Sequence, residues 1–525
     1  MQYRLKHTLA LFALALTFIT LVALPRLKYP ELDHGDEWAD ADILLAGKNF
    51  LKFGFVKTHF LSMVDVLPGN KPGGFYTHFP TFTSVLNGFL QLVLHTDSIR
   101  TFRVVSIAIS FLAVVAWYFL IYTLSRSVLM AFLASIFYFA NPIFIFCMDS
   151  LHELAFSDCF RNCGLLFFVK VAEALAHDRR RVLLFILLAI SLIAQTSVSF
   201  EYFFYLPLFF LLFGYLFKAY KGSVSVRTIV LLSSLFVVGF LIHFLLVSLH
   251  FGGIVPAIHD LRSAAVRRIA SSPDSPVELT FSSWWNLVLV RDFSLVLFFN
   301  FVTLLGMILF SLLLYGNLSV ESRQRLKPLL RLLILLAICG ISWYVTFPGH
   351  ALAHTYVLFL SRHLIPFAAV FFTLFCSIIF FFIGEKKPGR ISSSLAFIVI
   401  VALIAGNGIL KSELPVTKES IARAEDFKIF KECLSSFQKM SKESDVVGIN
   451  YFRFAFMRYY TMRRFTPVTH KEEFDKLSSL PQYFIYLPYN APASQALLEA
   501  LKTKYEPMFQ CASGRFPTLF LKLKQ

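Results

Sequence analysis

Five acidic residues lie within ten positions near the start of a chain of which only 15% is charged. They are Asp33, Asp36, Glu37, Asp40 and Asp42, in the stretch DHGDEWADAD. A carboxylate in a partly desolvated site can act as a general base and take the proton of an acceptor hydroxyl. Acidic runs are also typical of wet surface loops, and charge alone favours that interpretation, above all for Asp33, Asp40 and Asp42. Asp36 and Glu37 are the candidates for a base.

A second candidate site is the stretch NKPGGFYTHFP, residues 70–80, whose proline and glycine residues predict a tight irregular loop. Lys71 and His78 are potential phosphate ligands, because an ammonium or imidazolium group attracts phosphate in a partly desolvated pocket. An ordinary turn would show the same residues, and taken alone the stretch favours that alternative. The chain contains neither G-x-x-x-x-G-K-[ST] nor a strand-led G-x-G-x-x-G, so a nucleotide-binding pocket is not indicated.

Cationic residues that suit phosphate binding occur in several connections between apolar segments. They are Arg103, Arg262, Arg267, Arg268, Arg291, His354 and Arg362. Long connections also carry positive charge without any ligand, so each of these residues has an ordinary alternative. Together they predict a site for a negatively charged lipid headgroup.

The stretch FCMDSLHELAFSDCFRN, residues 146–162, adds acids beside two apolar segments. Asp158 and Arg161 stand three apart, so on a helix they would neutralise each other. Asp149 has no such near partner in the sequence. It is therefore a secondary candidate for acceptor binding or catalysis.

The elements that must hold these residues are membrane helices. The chain has 525 residues, of which 57% are hydrophobic and 17% aromatic, too apolar for an ordinary soluble protein. The formal net charge is +17, and the basic residues fall in short clusters between apolar runs, which favours membrane topology over a nucleic-acid-binding face.

The seven cysteines show no metal-binding spacing. Only Cys433 and Cys511 share the polar C-terminal region, where they can pair if that region lies outside the cytoplasm.

Eleven apolar runs are long enough to cross the hydrocarbon core as helices. The predicted spans are 8–24, 104–123, 128–147, 154–173, 182–199, 202–217, 228–249, 294–315, 329–346, 364–383 and 391–409. With the N-terminus in the cytoplasm, every inner connection carries Lys or Arg, whereas the short outer connections carry Asp149, Glu153 and Glu201. Eleven crossings then place the acidic stretch and the C-terminus outside.

The predicted fold is an all-α polytopic membrane protein with a small extracytoplasmic α/β domain at its C-terminus. Residues 1–411 form the transmembrane domain, with outer loops at 25–103, 251–291 and 347–363. Residues 412–525 are more polar, and they alternate strand-like runs such as YFIYLP with helix-like runs such as ASQALLEALKTKY. The candidate base and the candidate phosphate ligands then share the outer side.

The stretch DEWADADILLAGKNFLKFGF, residues 36–55, resembles the acidic opening of the GT-C superfamily of lipid-phosphate-sugar-dependent glycosyltransferases. The nearest resemblance is to bacterial relatives of protein O-mannosyltransferases and of the lipid A aminoarabinose transferase. NKPGGFYTHFP is similar to the Lys-Pro or His-Pro-Pro loop of that family, and HTYVLFLSRHLIP, residues 354–366, is similar to its R-Y-x-L-P element. The chain departs from the family where His78-Phe79-Pro80 replaces His-Pro-Pro and where His363 replaces tyrosine.

The resemblance implies inverting transfer of a sugar from a polyprenyl-phosphate donor to a lipid, glycan or protein acceptor. The reaction would occur at the outer face of the plasma (inner) membrane, in lipopolysaccharide or other cell-envelope glycan synthesis. The leaving group departs as a phosphate, so the chemistry requires one base and cations that hold the developing negative charge. Asp36 is then the predicted base, Glu37 the second candidate and Asp149 the third. Lys71, His78, His354 and the arginines Arg103, Arg262, Arg267, Arg268 and Arg362 are the predicted phosphate ligands.

The expected partners are the polyprenyl-phosphate-sugar donor, the lipid or glycan acceptor and membrane lipids, with no nucleic acid and with the chain as a monomer. No cofactor is expected. Some members of the superfamily use a divalent metal, but no ligand spacing here selects one.

Other functional classes share part of this pattern. A polysaccharide ligase or polymerase also uses polyprenyl-linked sugar at the outer surface, although it does not obviously need the early Asp-Glu loop. A transporter or flippase is expected to show inverted repeats and charges buried within spans, whereas the charges here concentrate in predicted loops. A pure interaction protein would leave the arrangement of Lys71, Arg103 and Arg362 without a purpose.

Overall fold

The chain divides into two compact units. The computed structural model describes residues 2–29, 37–65, 74–177, 181–217, 225–269, 280–353, 358–386, 390–412, 414, 418–450, 455–488, 492–514 and 517–524. The first unit comprises Met1–Arg26, His78–Pro80 and Val104–Leu414, and the second comprises Leu27–Thr77, Thr81–Arg103 and Pro415–Gln525. Most of the predicted first outer loop therefore groups with the C-terminal region. The predicted domain boundary between residues 411 and 412 stays a prediction.

The N-terminal part of the chain consists of helices and one short hairpin. Its elements are α1 (Gln2–Phe18), α2 (Leu24–Lys28), α3 (Glu37–Phe53), β1 (Ser62–Met63), β2 (Phe75–Tyr76), α4 (Phe82–Leu94) and α5 (Ile99–Ser125). A π-helical turn joins α1 to α2, so these two form one continuous apolar helix. In the predicted first outer loop, α3 packs against α4, and the amide of Gln91 donates to the carbonyl of Leu44 at 3.2 Å.

The middle of the chain is entirely helical where the structure describes it. Its elements are α6 (Val128–Phe139), α7 (Pro142–Cys147), α8 (Leu154–Ala176), α9 (Val182–Val198), α10 (Tyr205–Leu216), α11 (Val226–His250) and α12 (Ile254–Ile269). The run 128–147, predicted as one span, is two helices. The break occurs because the side chain of Asn141 accepts from the backbone N–H of Ile143 and Pro142 begins α7, a sequence that starts a new helix.

The next helices begin at short polar side chains. The elements are α13 (Phe281–Trp285), α14 (Phe293–Leu297), α15 (Phe301–Gly316), α16 (Val320–Thr346), α17 (Pro348–Ala353), α18 (Ile365–Lys386) and α19 (Arg390–Lys411). Asn300 and Ser319 accept from the backbone N–H groups of Thr303 and Ser322, which satisfies donors that α15 and α16 cannot satisfy internally. A 3₁₀ helix, Leu358–Leu364, precedes α18 and carries Arg362.

Five helices in the described residues are long and apolar enough to cross a membrane. They are Arg4–Lys28, Ile99–Ser125, Arg227–His250, Val320–Thr346 and Ser361–Glu385. The pair Phe281–Leu297 and Phe301–Gly316 makes a sixth if its 73° bend lies within one span. These segments correspond to six of the eleven predicted spans. The count of eleven, and the orientation derived from it, stay predictions.

The C-terminal region is an α/β structure, as the sequence predicts. Its elements are α20 (Lys418–Met440), β3 (Val446–Ile449), α21 (Ala455–Thr461), β4 (Arg464–Pro467), α22 (Lys471–Asp475), β5 (Tyr483–Tyr486), α23 (Pro492–Lys504), β6 (Tyr505–Cys511) and β7 (Thr518–Leu523). The strand order is β4-β3-β5-β7-β6. β3 pairs in parallel with β4 and β5, whereas β7 runs antiparallel to β5 and β6. Phe484, Leu497 and Leu521 are among the side chains that form a buried core on this sheet.

Two features tie the C-terminal region together and to the first loop. A disulfide between Cys433 and Cys511 joins α20 to β6, so the two cysteines do pair. α21 packs against α3, and the hydroxyl of Tyr459 donates to the carbonyl of Asp97 at 2.9 Å. Burial, together with the nearby Asp97 carboxylate, holds the pKa of Tyr459 well above its usual range, so this hydroxyl remains a donor.

Close helix packing in the first unit gives a test of this fold. A Cβ on Gly239 of α11 would lie 2.3 Å from the hydroxyl of Thr196 and 2.6 Å from the carbonyl of Ile193, both on α9. Gly239→Leu should therefore force the two helices apart and cost about 1–3 kcal/mol or more, as overpacking does. We expect a lower midpoint of thermal unfolding in detergent.

The matched control is Gly306→Leu in α15, where an added Cβ meets nothing within 4 Å. Both substitutions gain the same helix propensity, so the comparison isolates the contact. Equal midpoints for the two variants would contradict the packing of α11 on α9.

Candidate active site

The predicted site is described only in part. Asp36, Lys71 and His354 lie outside the described residues. Glu37 begins α3, and Arg267 and Arg268 lie in the last turns of α12, but their side chains are also outside the described part of the chain. Arg262 is exposed on α12. The roles assigned to these residues stay predictions.

Asp149, the third candidate for a base, is paired with a cation. Its carboxylate accepts from the Nε of Arg26 in α2, and both side chains are fully buried. Asp149 has no near partner in the sequence, and the partner that the fold supplies is 123 residues away. A carboxylate committed to a buried guanidinium suits a structural or positioning role better than proton transfer.

Asp40 and Arg103 form a second buried pair, which lies in the other unit. The Nη1 of Arg103 donates to Oδ2 of Asp40 at 3.1 Å, and both side chains are fully buried. Asp40 was expected on a wet helix face, and that expectation was wrong. Asp40 lies on the side of α3 that meets Arg103. A buried guanidinium without an opposite charge is costly, and Asp40 supplies that charge. Asp42 is half-buried on the same helix.

The first unit contains a buried ionic cluster formed by Glu153, Asp158, Arg161, Glu201 and Arg362. Asp158 and Arg161 lie 3.2 Å apart on the first turns of α8, as the sequence predicts. Arg362 donates to Glu201, and its Nη2 lies 3.7 Å from Glu153 Oε1. The backbone carbonyl of Arg362 accepts from Arg161 at 3.4 Å, which joins the two pairs.

Tyr202 lies at the centre of the buried ionic cluster. Its hydroxyl accepts from Arg161 at 2.6 Å and donates to Asp158 at 2.7 Å. The guanidinium carbons of Arg161 and Arg362 lie 4.9 Å and 5.5 Å from its ring centroid, within the range of cation–π attraction. The cluster is therefore ordered by both hydrogen bonds and ring contacts.

His78 connects the predicted phosphate loop to α12. Its Nε2 lies 2.9 Å from Oδ1 of Asp260, on the helix that also carries Arg262, Arg267 and Arg268. The next residue, Phe79, contacts His152 with a ring separation of 5.2 Å, and His152 adjoins Glu153 of the buried ionic cluster. The structure thus brings His78, the helix of three predicted arginines and the surroundings of Arg362 together in the first unit.

Arg362 is the predicted phosphate ligand that keeps two spare donor groups in the described part of the chain. Its side chain is fully buried, yet Nε and Nη1 have no hydrogen-bond partner among the residues that the structure describes. A guanidinium presents its donors as a planar fork that matches phosphate oxygens. Glu201 compensates the charge of Arg362, and the role of Arg362 as a phosphate ligand stays a prediction.

The sequence identified the charged candidate residues but not the residues that pair with them. Glu153 and Glu201 were assigned to short outer connections, and Arg26 and Tyr202 were not considered. The available signal was the placement of charged residues at the ends of apolar runs, where a side chain that turns inward needs an opposite charge. The charges buried in α8 also correct the expectation that charge concentrates in loops.

Among the described residues, no group of three or more His, Cys, Asp or Glu side chains is placed to hold a metal ion.

Solved structures of similar fold are membrane glycosyltransferases. The oligosaccharyltransferase of Archaeoglobus fulgidus, tethered to an acceptor peptide, matches with a TM-score of 0.54 at 13% identity, over 99% of this chain and 74% of that chain. ArnT from Cupriavidus metallidurans, bound to undecaprenyl phosphate, matches with a TM-score of 0.55 at 10% identity, over 97% of both chains. The chain has the GT-C fold.

This fold confirms the resemblance seen in the sequence. The archaeal enzyme, AglB, in complex with an inhibitory peptide and a dolichol-phosphate gives a similar match, with a TM-score of 0.53 at 12% identity over 99% of this chain and 74% of that chain. No protein-family model and no curated protein sequence matches the chain. The likeness to these GT-C enzymes is thus one of architecture, and it extends over almost the whole chain.

The buried pair of Arg26 and Asp149 gives a stability test. Asp149→Asn removes the carboxylate from a fully buried ion pair, which should lower the free energy of unfolding by about 3–5 kcal/mol. The double variant Arg26→Met and Asp149→Leu removes both charges and should recover much of that loss. Denaturation in detergent measures both effects.

The exposed pair Glu321 and Arg325 on α16 is the matched control, and Glu321→Gln should change stability little because solvent screens the pair. If Asp149→Asn is as stable as the unmodified chain but has lost activity, Asp149 is catalytic rather than structural.

Proposed function

We propose that this chain is a GT-C glycosyltransferase that moves a sugar from a polyprenyl-phosphate donor to a lipid, glycan or protein acceptor. The observation that carries the proposal is the fold shared over 97% of the chain with ArnT bound to undecaprenyl phosphate. The acidic stretch and the predicted phosphate ligands are the two chemical parts that such a transfer requires, a base and a phosphate site. One base and a phosphate leaving group suffice for a single displacement, in which the acceptor hydroxyl replaces the phosphate on the sugar. A single displacement inverts the configuration of the sugar carbon, so transfer proceeds with inversion.

The phosphate site rests on cations from several parts of the chain. Arg362 contributes a buried guanidinium with two donor groups that have no partner among the described residues. His78 lies against α12, which carries the predicted arginines. Lys71 is the further ligand that the sequence predicts. Charge-assisted hydrogen bonds from these groups stabilise both the bound donor and the phosphate that leaves.

The base is assigned to Asp36, with Glu37 as its alternative. The buried ion pairs commit Asp40 to Arg103 and Asp149 to Arg26, which makes both of them weaker candidates. Adjacent residues point in different directions, so Asp36 and Glu37 cannot reach one acceptor hydroxyl equally well. Asp36 therefore takes the proton, and Glu37 binds the acceptor or positions the base.

The site faces the outside of the plasma (inner) membrane in this proposal. The inner connections between the predicted spans are basic, as the positive-inside rule requires of cytoplasmic loops. The disulfide between Cys433 and Cys511 supports the same orientation for the C-terminal region, because disulfides persist in oxidising compartments.

The proposed base predicts a loss of transfer without a loss of binding. Asp36→Asn keeps the size of the side chain but removes the proton acceptor, which typically lowers a rate by about 100-fold to 10,000-fold. The purified variant should bind undecaprenyl phosphate normally and transfer almost no radiolabelled sugar from an undecaprenyl-phosphate donor.

Asp33→Asn is the matched control, since it removes one acid from the same stretch and should keep activity within a few-fold. Full transfer by Asp36→Asn together with a dead Glu37→Gln variant would reassign the base. Full transfer by both variants would remove the acidic stretch from the mechanism.

The proposed phosphate site predicts weaker donor binding when Lys71 is lost. Removing one charge-assisted contact in a partly buried site should cost roughly 1.5–3 kcal/mol, about tenfold or more in affinity. Lys71→Ala should raise the Kd for undecaprenyl phosphate by that factor. Lys57→Ala, at an exposed lysine of the same loop, should leave the Kd unchanged. An unchanged Kd in Lys71→Ala would exclude Lys71 from the site.

A further inference from the structure

The hairpin of β1 and β2 leads into the stretch that contains Lys71. The two strands pair antiparallel, and the backbone N–H of Val64 donates to the carbonyl of Gly74 at 3.0 Å. The chain thus enters residues 66–73 at Asp65 and leaves them at Gly74. We call Val64, Asp65 and Gly74 the loop mouth. Lys71 is three positions before Gly74, so the place of the loop mouth limits where Lys71 can lie.

The loop mouth is tightly closed against α3. Gly74 has a φ of 64°, in the left-handed region that favours glycine, and a Cβ there would lie 2.4 Å from the Cβ of Asp65. The amide of Asn49 on α3 donates to the carbonyl of Met63 at 2.8 Å and to that of Asp65 at 3.3 Å. The two ends of the chain therefore meet at one place beside α3.

Arg458 reaches the loop mouth from the C-terminal region. Its Nη1 donates to the carbonyl of Val64, and its Nε lies 3.6 Å from Oδ1 of Asp65. The residue is buried. A guanidinium presents several donors in fixed directions and so reaches acceptors on two adjacent residues at once, whereas an ammonium is a point charge. Arginine is therefore the residue type that suits a clamp on the loop mouth.

Helix α21, which carries Arg458, is held in place by other contacts. It packs against both α3 and α20. The hydroxyl of Tyr459 donates to the carbonyl of Asp97 at 2.9 Å, and the rings of Phe456 and Phe427 lie 5.7 Å apart. Loss of the Arg458 side chain would therefore release the loop mouth without displacing α21.

We propose that Arg458 is a positioning residue of the donor-phosphate site. By holding the loop mouth closed, it keeps Lys71 within reach of the phosphate, although the guanidinium does not itself touch the donor. The affinity of a ligand that binds one state of a protein is proportional to the population of that state, so Arg458 raises donor affinity by populating the closed loop mouth. This inference rests on the proposed role of Lys71 as a phosphate ligand. The C-terminal region then takes part in donor recognition.

Binding of undecaprenyl phosphate to the purified full chain in detergent tests the proposal. Arg458→Gln removes the guanidinium and should raise the Kd by about threefold to tenfold, and by no more than Lys71→Ala does, because Arg458 acts through Lys71. The number of binding sites per chain should stay the same, whereas a loss of folded protein would lower it. Arg458→Lys should lie between Arg458→Gln and the unmodified chain.

Arg464→Gln is the matched control. Arg464 is exposed at the start of β4, in the same region, and its loss should leave the Kd unchanged.

The double variant of Lys71→Ala and Arg458→Gln separates positioning from an independent contribution. Once Lys71 is absent there is no ammonium to position, so adding Arg458→Gln should change the Kd by less than about twofold. Gly74→Ala disturbs the loop mouth from its other side and should show the same dependence on Lys71. This second variant carries the test if Arg458→Gln does not fold.

Two results would overturn the positioning role and leave the proposed function intact. One is an unchanged Kd in Arg458→Gln when Lys71→Ala raises the Kd. The other is an effect of Arg458→Gln that multiplies with that of Lys71→Ala. An unchanged Kd in Lys71→Ala is a different outcome, because it would remove Lys71 from the phosphate site and the inference on Arg458 with it.

Discussion

A charge taken out of water must meet an opposite charge, and this constraint determines how the first unit is assembled. The cost of burying an unpaired guanidinium or carboxylate exceeds the net stability of most domains. Arg26, Arg161 and Arg362 are all fully buried, and each is paired with a carboxylate from another turn or another segment. These pairs therefore favour the assembly that brings each guanidinium to its carboxylate.

The same constraint operates in the second unit, where it links the first loop to the C-terminal region. Arg103 fixes α3 through Asp40, and Arg458 of α21 donates to the carbonyl of Val64 and lies 3.6 Å from the carboxylate of Asp65. The amide of Asn49 on α3 donates to the carbonyl of Met63 at 2.8 Å. The hairpin is thus held by residues from α3 and from a helix nearly 400 positions later in the sequence. The C-terminal region consequently supports the loop in which the sequence places its candidate phosphate ligand.

Local sequence patterns predicted many of the helices and strands. The candidate site depends on ion pairs between residues that are far apart in the sequence. The long apolar runs, the α/β alternation after residue 412 and the pairing of Asp158 with Arg161 depend on residues close together in the chain, so they could be read directly. Asp149 and Arg26 are 123 residues apart, and Glu201 and Arg362 are 161 residues apart. No period or motif connects such residues. The burial of Asp40 and the partner of Asp149 were missed for one reason, which is that burial and partnership are properties of the assembled fold.

The charge balance of the buried ionic cluster bears on how it would receive a phosphate. Three carboxylates, Glu153, Asp158 and Glu201, face two guanidinium groups, so the cluster has a formal excess of negative charge. Arg362 alone would therefore attract a phosphate weakly, because Glu201 competes for the same guanidinium. Additional cations are needed, and in the first unit they are available on α12, against which His78 lies. A phosphate that engaged Arg362 and the cations of α12 at once would therefore bind more tightly than one that engaged either group alone.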